Sequence, residues 1–257
     1  MIDQEYTGKN LKSIINAIIP ICLLFVFITS CAGTSGSKGI LAFDNTRINS
    51  LNIEAKKYYE EALRYSRKNR PEEAIEAYSR SILADPSAAA YNGRCVEYNR
   101  TGRYDRAVAD ANRAIMMSPG YPAPYQNRGN ALYMLKSYDE ALKSYQRAIR
   151  LNPADPECYF NLGQTYFRKG LFGDAMASYN KTIELDPHHR FAWYNRACIA
   201  SLKKDLSAAM ESLEKAVDEG FDNAERMRNE PALENVRSLP GFSILVSRIE
   251  RAKKQPQ

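Results

Sequence analysis

From about residue 55 the apolar positions return with a fixed period. Prolines at 86, 119, 153 and 187 are separated by 33, 34 and 34 residues. Twelve residues before each lies Ala74, Ala107, Ala141 or Ala175, eight before lies Tyr78, Ala111, Tyr145 or Tyr179, and five before lies Ser81, Ala114, Ala148 or Thr182. Five residues after the first proline and six after the others comes an aromatic: Tyr91, Tyr125, Tyr159 or Trp193. Proline cannot continue a helix interior and biases its predecessor away from helical angles. Helices are therefore predicted to end near Asp85, Ser118, Asn152 and Asp186. Gly102 and Gly170 fall at a turn inside each copy, where left-handed backbone is easy for glycine. A fifth copy continues with Ala209, Leu213 and Ala216 but has Gly220-Phe221 in place of its proline. Beyond it Leu233 and Val236 precede Phe242, Leu245, Val246 and Ile249 at helical spacing. This stretch is predicted to cap the last copy, with Arg248, Arg251, Lys253 and Lys254 outward.

A period of 34 residues with these small, aromatic and proline slots resembles the tetratricopeptide repeat, a pair of antiparallel helices. Residues Tyr159, Leu162, Gly163, Tyr166, Ala175, Tyr179 and Pro187 form the best single copy. The resemblance implies an all-α fold: a right-handed α-α superhelix of about five helix-turn-helix repeats plus C-terminal capping helices. The copies span about 55–87, 88–121, 122–155, 156–189 and 190–223, within a solenoid of 53–223 followed by a cap and basic tail of 224–257. Gly129 and Gly163, with Cys95 and Ala197 in the same slot, are expected midway along first helices, where they admit the second helix. One pair cannot bury its apolar face, so stacked pairs share a continuous core.

Ahead of the repeats, Lys9 and Lys12 precede an apolar run from about Ile14 to Ile28, broken by Asn16 and Pro20. That order is a secretory signal, and the run is shorter than the ~20 residues of a spanning helix. It ends Ile28-Thr29-Ser30-Cys31, which resembles the bacterial lipobox. The resemblance implies cleavage after residue 30 and a lipid anchor on Cys31, placing the body at the cell envelope. Ala32 follows rather than aspartate, which by analogy permits transfer to the outer membrane of a two-membraned organism. An uncleaved membrane span and an ordinary cleaved signal with an incidental cysteine are the alternatives. Residues 31–52, opening with a Gly/Ser tract, are expected to be a flexible tether.

Composition narrows the class further. Hydrophobic residues make up 44% and charged residues 26%, as in a globular chain. Seventeen tyrosines against one tryptophan suggest that tyrosine fills a repeated slot. The net charge of +6 favours anionic partners weakly and does not indicate nucleic acid. Cys22 lies in the leader; Cys95, Cys158 and Cys198 have no metal-ligand spacing and read as packing residues. His188 and His189 are adjacent in a turn and read as solvated. No phosphate loop, dinucleotide turn or nucleophile with its base is present. No enzyme, cofactor or metal is therefore expected.

In the family, first helices line a concave groove. The corresponding slots hold Tyr59; Asn92, Asn99 and Arg100; Gln126, Asn130 and Tyr133; Phe160, Gln164, Phe167 and Arg168; and Phe191 and Tyr194. Amides can pair with a peptide backbone and aromatics supply anchoring area, so a protein or peptide partner is expected there. Asn127, Asn161 and Asn195 recur at one slot and read as inter-repeat structure. The lysine-and-asparagine carboxylate clamp of some members is incomplete: Asn130 and Asn161 match, whereas Gln126, Phe191 and Asn195 replace its basic residues. The resulting expectation is an envelope scaffold, with self-association possible. Its alternatives are a pilotin-like factor for pilus or secretion secretins, and a hydrolase with an unrecognised site. Cys31→Ser is expected to move the protein from the membrane to the soluble fraction on fractionation of cells; a variant that stays membrane-bound would overturn the anchor.

Overall fold

The computed structural model describes residues 37–254. The signal, Cys31 and the opening of the tether lie outside the described residues. The chain divides at residue 50, and packing is described here for the unit that begins at Leu51. Among the described residues the elements are α1 (Ser37–Arg67), α2 (Pro71–Ala84), α3 (Ala88–Arg100), α4 (Tyr104–Met117), α5 (Pro122–Met134), α6 (Tyr138–Leu151), α7 (Pro156–Arg168), α8 (Phe172–Leu185), α9 (Arg190–Leu202), α10 (Leu206–Asp218), α11 (Ala224–Asn229), a 3-10 helix (Pro231–Val236) and α12 (Pro240–Lys254). No strand occurs among them. Helix α1 begins at Ser37, inside the span expected to be a flexible tether. The stretch 40–52 contains no proline or glycine to interrupt a helix.

The helices pair in sequence: α3 with α4, α5 with α6, α7 with α8, and α9 with α10. Residues 52–67 of α1 pair with α2 through Ala62, Ala74, Ala77 and Tyr78. A reciprocal choice of side-chain size allows each close approach. Sixteen residues separate Ala62 from Tyr78, Cys95 from Ala111, Gly129 from Tyr145, Gly163 from Tyr179, and Ala197 from Leu213. A methyl added at Gly129 would lie 2.6 Å from the Tyr145 ring, and one at Gly163 would lie 2.7 Å from the Tyr179 ring. At these two positions glycine leaves the space that the tyrosine ring fills. In copy one Ala62 faces Tyr78, and it is a methyl added at Gly93 of the next copy that would lie 2.4 Å from the Tyr78 ring. Copy two reverses the sizes, with the larger Cys95 facing the smaller Ala111, and both are fully buried.

Five turns between paired helices share one backbone device. Asn69, Gly102, Lys136, Gly170 and Lys204 all have positive φ, between 56° and 75°. The next amide in each case returns to the helix: Arg103 N–H donates to the Tyr98 carbonyl at 2.9 Å, Ser137 to Leu132 at 2.9 Å, and Leu171 to Tyr166 at 3.0 Å. This closure satisfies carbonyls that the helix end leaves unpaired. The pattern of prolines and glycines pointed only to Gly102 and Gly170. Asn69, Lys136 and Lys204 adopt the same conformation against an ordinary cost of about 1–2 kcal/mol.

Consecutive first helices touch one another (α3 with α5, α5 with α7), while second helices make no comparable contact. The stack therefore curves with its first helices on the inner side. At the far end the cap buries Phe221, Met227, Leu233, Val236, Phe242, Leu245, Val246 and Ile249 against Ala209, Leu213 and Ala216 of the last copy. Its 3-10 helix packs on α9, where a further first helix would lie, and Asn235 Nδ2 donates to the Ser201 carbonyl at 2.8 Å. Arg248 pairs outward with Asp218 at 2.8 Å.

Two glycines on neighbouring helices yield opposite expectations. Gly163→Ala gains helix propensity of about 0.5–1 kcal/mol but forces overpacking of about 1–3 kcal/mol. A net loss of about 1–2 kcal/mol is expected. At Gly173 in α8 an added methyl meets nothing within 4 Å, so Gly173→Ala should stabilise by about 0.5–1 kcal/mol. Urea unfolding of the two variants measures both signs; equal midpoints would refute the size-pairing argument.

Candidate protein-binding groove

The inner face is built by α3, α5, α7 and α9, and its two ends differ. Toward the first copies the polar side chains bond to each other. Asn127 Nδ2 donates to Asn92 Oδ1 at 2.9 Å, Asn92 Nδ2 to the Tyr121 hydroxyl at 3.3 Å, and Asn99 Nδ2 to the Asn127 carbonyl at 3.0 Å. The Tyr145 hydroxyl donates to Asn130 Oδ1 at 2.8 Å. Arg100 pairs with the buried Glu97 at 2.8 Å and also reaches Asn69. Tyr59 lies edge-on to Tyr78 at 5.7 Å. Gln126 is half-buried. Asn127 and Asn195 serve structural bonds as expected, Asn195 donating to the Tyr179 hydroxyl at 3.3 Å.

Toward the last copies a cleft of about 130 Å³ opens, lined by Tyr133, Gln164, Phe167, Arg168, Tyr179, Asn195, Cys198, Arg226 and Glu230. Buried Tyr179 and Cys198 form its floor, and exposed Arg168 and Arg226 its rim. Arg168 Nε donates to the Tyr133 hydroxyl at 3.0 Å, which raises the guanidinium pKa further. The Arg226 guanidinium lies 5.1 Å from the centre of the Tyr194 ring. Burial pushes the Tyr179 phenol and the Cys198 thiol above their ordinary values, so both stay protonated at neutral pH. Cys95, Cys158 and Cys198 are all buried and unpaired, and burial holds the Cys95 thiol up at about 12. Packing rather than reactivity accounts for them.

Four expected groove residues thus meet in one cleft: Tyr133, Gln164, Phe167 and Arg168. Three others do not present their side chains to the groove. Tyr194 is fully buried; its ring stacks on Phe221 at 4.3 Å, and its hydroxyl donates to the Arg226 carbonyl at 3.4 Å. Phe160 is turned into the junction between copies four and five, 5.9 Å from Tyr179 and 4.5 Å from His189. Asn92 is also buried. The slot these three share holds either an amide bonded to Asn127 of the next copy and to Tyr121, as Asn92 is, or a ring turned toward the next repeat. Phe191 stays exposed, edge-on to Phe221 at 6.2 Å.

His189 is a further correction, for it is buried rather than solvated. Its Nδ1 accepts the Ala192 amide at 3.1 Å, capping α9, and its Nε2 lies 3.3 Å from Glu157 of the preceding copy. His188 is exposed and pairs with Glu219 at 2.8 Å, which raises its pKa. Arg226 and Glu230 went unseen in the sequence because the cap that supplies them carries no repeat signal.

Sequence models of the tetratricopeptide repeat match residues 59–122, 135–170, 156–189 and 192–219. The chain therefore carries tetratricopeptide repeats, and its fold is the solenoid that they build. The small glutamine-rich tetratricopeptide repeat-containing protein 2 of Mycosarcoma maydis is 33% identical over 61 residues, which are 23% of this chain and 17% of that protein. Among solved structures, PilF of Pseudomonas aeruginosa superposes with a TM-score of 0.68 at 17% identity, covering 80% of this chain and 92% of PilF. YrrB, described as a repeat protein of this kind with an unusual peptide-binding site, gives 0.56 at 24% identity, covering 86% of this chain and all (100%) of YrrB. At these identities the structural likeness concerns the fold.

Because Phe160 is buried and Phe167 only partly so, the two should separate stability from binding. Phe160→Ala is expected to cost about 3 kcal/mol or more in unfolding free energy. Phe167→Ala should cost about 1 kcal/mol and leave the fold cooperative. Chemical denaturation followed by circular dichroism checks this, and equal losses would mean that Phe167 is also a core residue.

Proposed function

We propose that this protein is a lipid-anchored adaptor of the cell envelope that binds other proteins through its inner face and performs no catalysis. The carrying observation is the cleft between the fourth and fifth copies and the cap, where half-buried Tyr133 and Phe167 lie beside exposed Arg168 and Arg226. Partly exposed aromatics and arginines gathered in a recess are the residue types that anchor protein partners. The repeats support the same reading, since YrrB, a fold relative, is described as having a peptide-binding site. The anchor rests on the Cys31 motif in the sequence. No helix among the described residues is long and apolar enough to cross a membrane, and in this reading attachment is through lipid at Cys31.

The test is purification of the full-length protein from detergent-solubilised native membranes, beside the pair Tyr133→Ala with Phe167→Ala. Partners identified by mass spectrometry should be retained by the natural protein and lost from the variant. Cell-wall hydrolases among them would indicate a wall scaffold, and a secretin ring a pilotin-like role. Partners that bind both forms equally would move the site off the inner face. Cleavage of peptidoglycan or peptides by the purified protein alone would replace the adaptor reading with an enzymatic one.

A further inference from the structure

The cleft at the cap carries two guanidinium groups against one carboxylate. Arg168 bonds to the neutral Tyr133 hydroxyl, and Arg226 lies over the Tyr194 ring. Neither makes an ion pair within 4.0 Å among the described residues. Several arginines elsewhere in the fold are neutralised. Arg94 grips Asp110 with two bonds of 2.7 and 2.8 Å, Arg103 meets Glu72 at 2.6 Å, and Arg228 and Arg237 meet Glu250 and Glu234. Glu230, the acidic residue of the lining, is already engaged: its Oε1 accepts the Ala232 amide at 3.4 Å and caps the 3-10 helix. The cleft is thus left with more positive than negative charge, in a recess partly shielded from water.

We propose that this cleft is a carboxylate-recognition subsite for an extended acidic peptide, with one carboxylate held between Arg168 of the repeat and Arg226 of the cap. This rests on the adaptor reading and adds the chemistry of the partner. The planar guanidinium fork matches a carboxylate with paired hydrogen bonds. Gln164 and Asn195 supply amides in the same lining for the flanking peptide backbone. A volume of about 130 Å³ admits an acidic side chain or a chain terminus and is too small for a folded element. Residues from both the fourth repeat and the cap are needed, so the site exists only in a chain whose cap is docked. Glu230 opposes the ligand, which makes it a discriminating position: removing its charge should strengthen binding.

The experiment uses the full-length protein in detergent and fluorescein-labelled octapeptides of alanine alternating with glutamate, glutamine or lysine, each with a free or an amidated C-terminus. Fluorescence anisotropy should give peptides that present a carboxylate, on a side chain or at a free C-terminus, at least about tenfold tighter binding than the amidated glutamine peptide, as expected of one charge-assisted contact. Arg168→Ala and Arg226→Ala should each weaken it by about tenfold with unchanged thermal melting, because both side chains are exposed. Glu230→Gln should tighten it several-fold, and added salt should weaken it. Loss of binding on amidation assigns the terminal carboxylate to the cleft, and persistence assigns the side chain. Binding that neither glutamate nor a free C-terminus strengthens, no binding of any peptide, or indifference to both arginine variants overturns the subsite. Should peptides bind without regard to charge and lose binding in the Tyr133→Ala, Phe167→Ala pair, the groove stands and only the carboxylate chemistry falls.

Discussion

The close approach of two helices within each repeat is the constraint on which the molecule depends. It is met by a trade of volume across sixteen residues: where one helix presents tyrosine, the other must present glycine or alanine. Gly129 under Tyr145 and Gly163 under Tyr179 leave no room for a methyl group. Copy two instead sets Cys95 over Ala111, and both are fully buried. Because each pair touches only its neighbours, an error in one trade stays local and weakens two interfaces.

The turns and the inner polar network recur along the stack. A left-handed residue lies at the equivalent point of five turns. The Asn127–Asn92–Tyr121 chain of bonds then fixes neighbouring first helices along the inner side. Those amides are engaged by the protein itself, which leaves the first half of the inner face with fewer free polar groups. The second half differs because the cap replaces a repeat there. Arg226 and Glu230 come from a segment that obeys no period, and they create the local imbalance of charge.

Likeness of fold to PilF and YrrB places this chain in a known architecture without choosing its partner. One solenoid supports many interactions, since function resides in the side chains placed on it. Here the distinguishing feature is the junction of repeat and cap, where aromatic walls and unmatched arginines share a recess.

Fold class and repeat register were legible in the sequence because they follow from local, periodic rules. Proline ends a helix, a small residue admits its neighbour, and a 34-residue recurrence means stacked pairs. The cap was legible as well, from Leu233 through Ile249, because apolar residues at helical spacing must be covered. The cleft was legible in part: four of its lining residues, Tyr133, Gln164, Phe167 and Arg168, were singled out from their slots. Tertiary structure alone decided that Phe160 and Tyr194, in the same slot as Gln126, turn into the core. A ring of that size gains more from burial against Tyr179, His189 or Phe221 than from water. It alone decided that His189 is a buried cap, and it alone brought Arg226 and Glu230 beside Arg168. That encounter joins residues nearly sixty positions apart through packing, and no spacing along the chain encodes it.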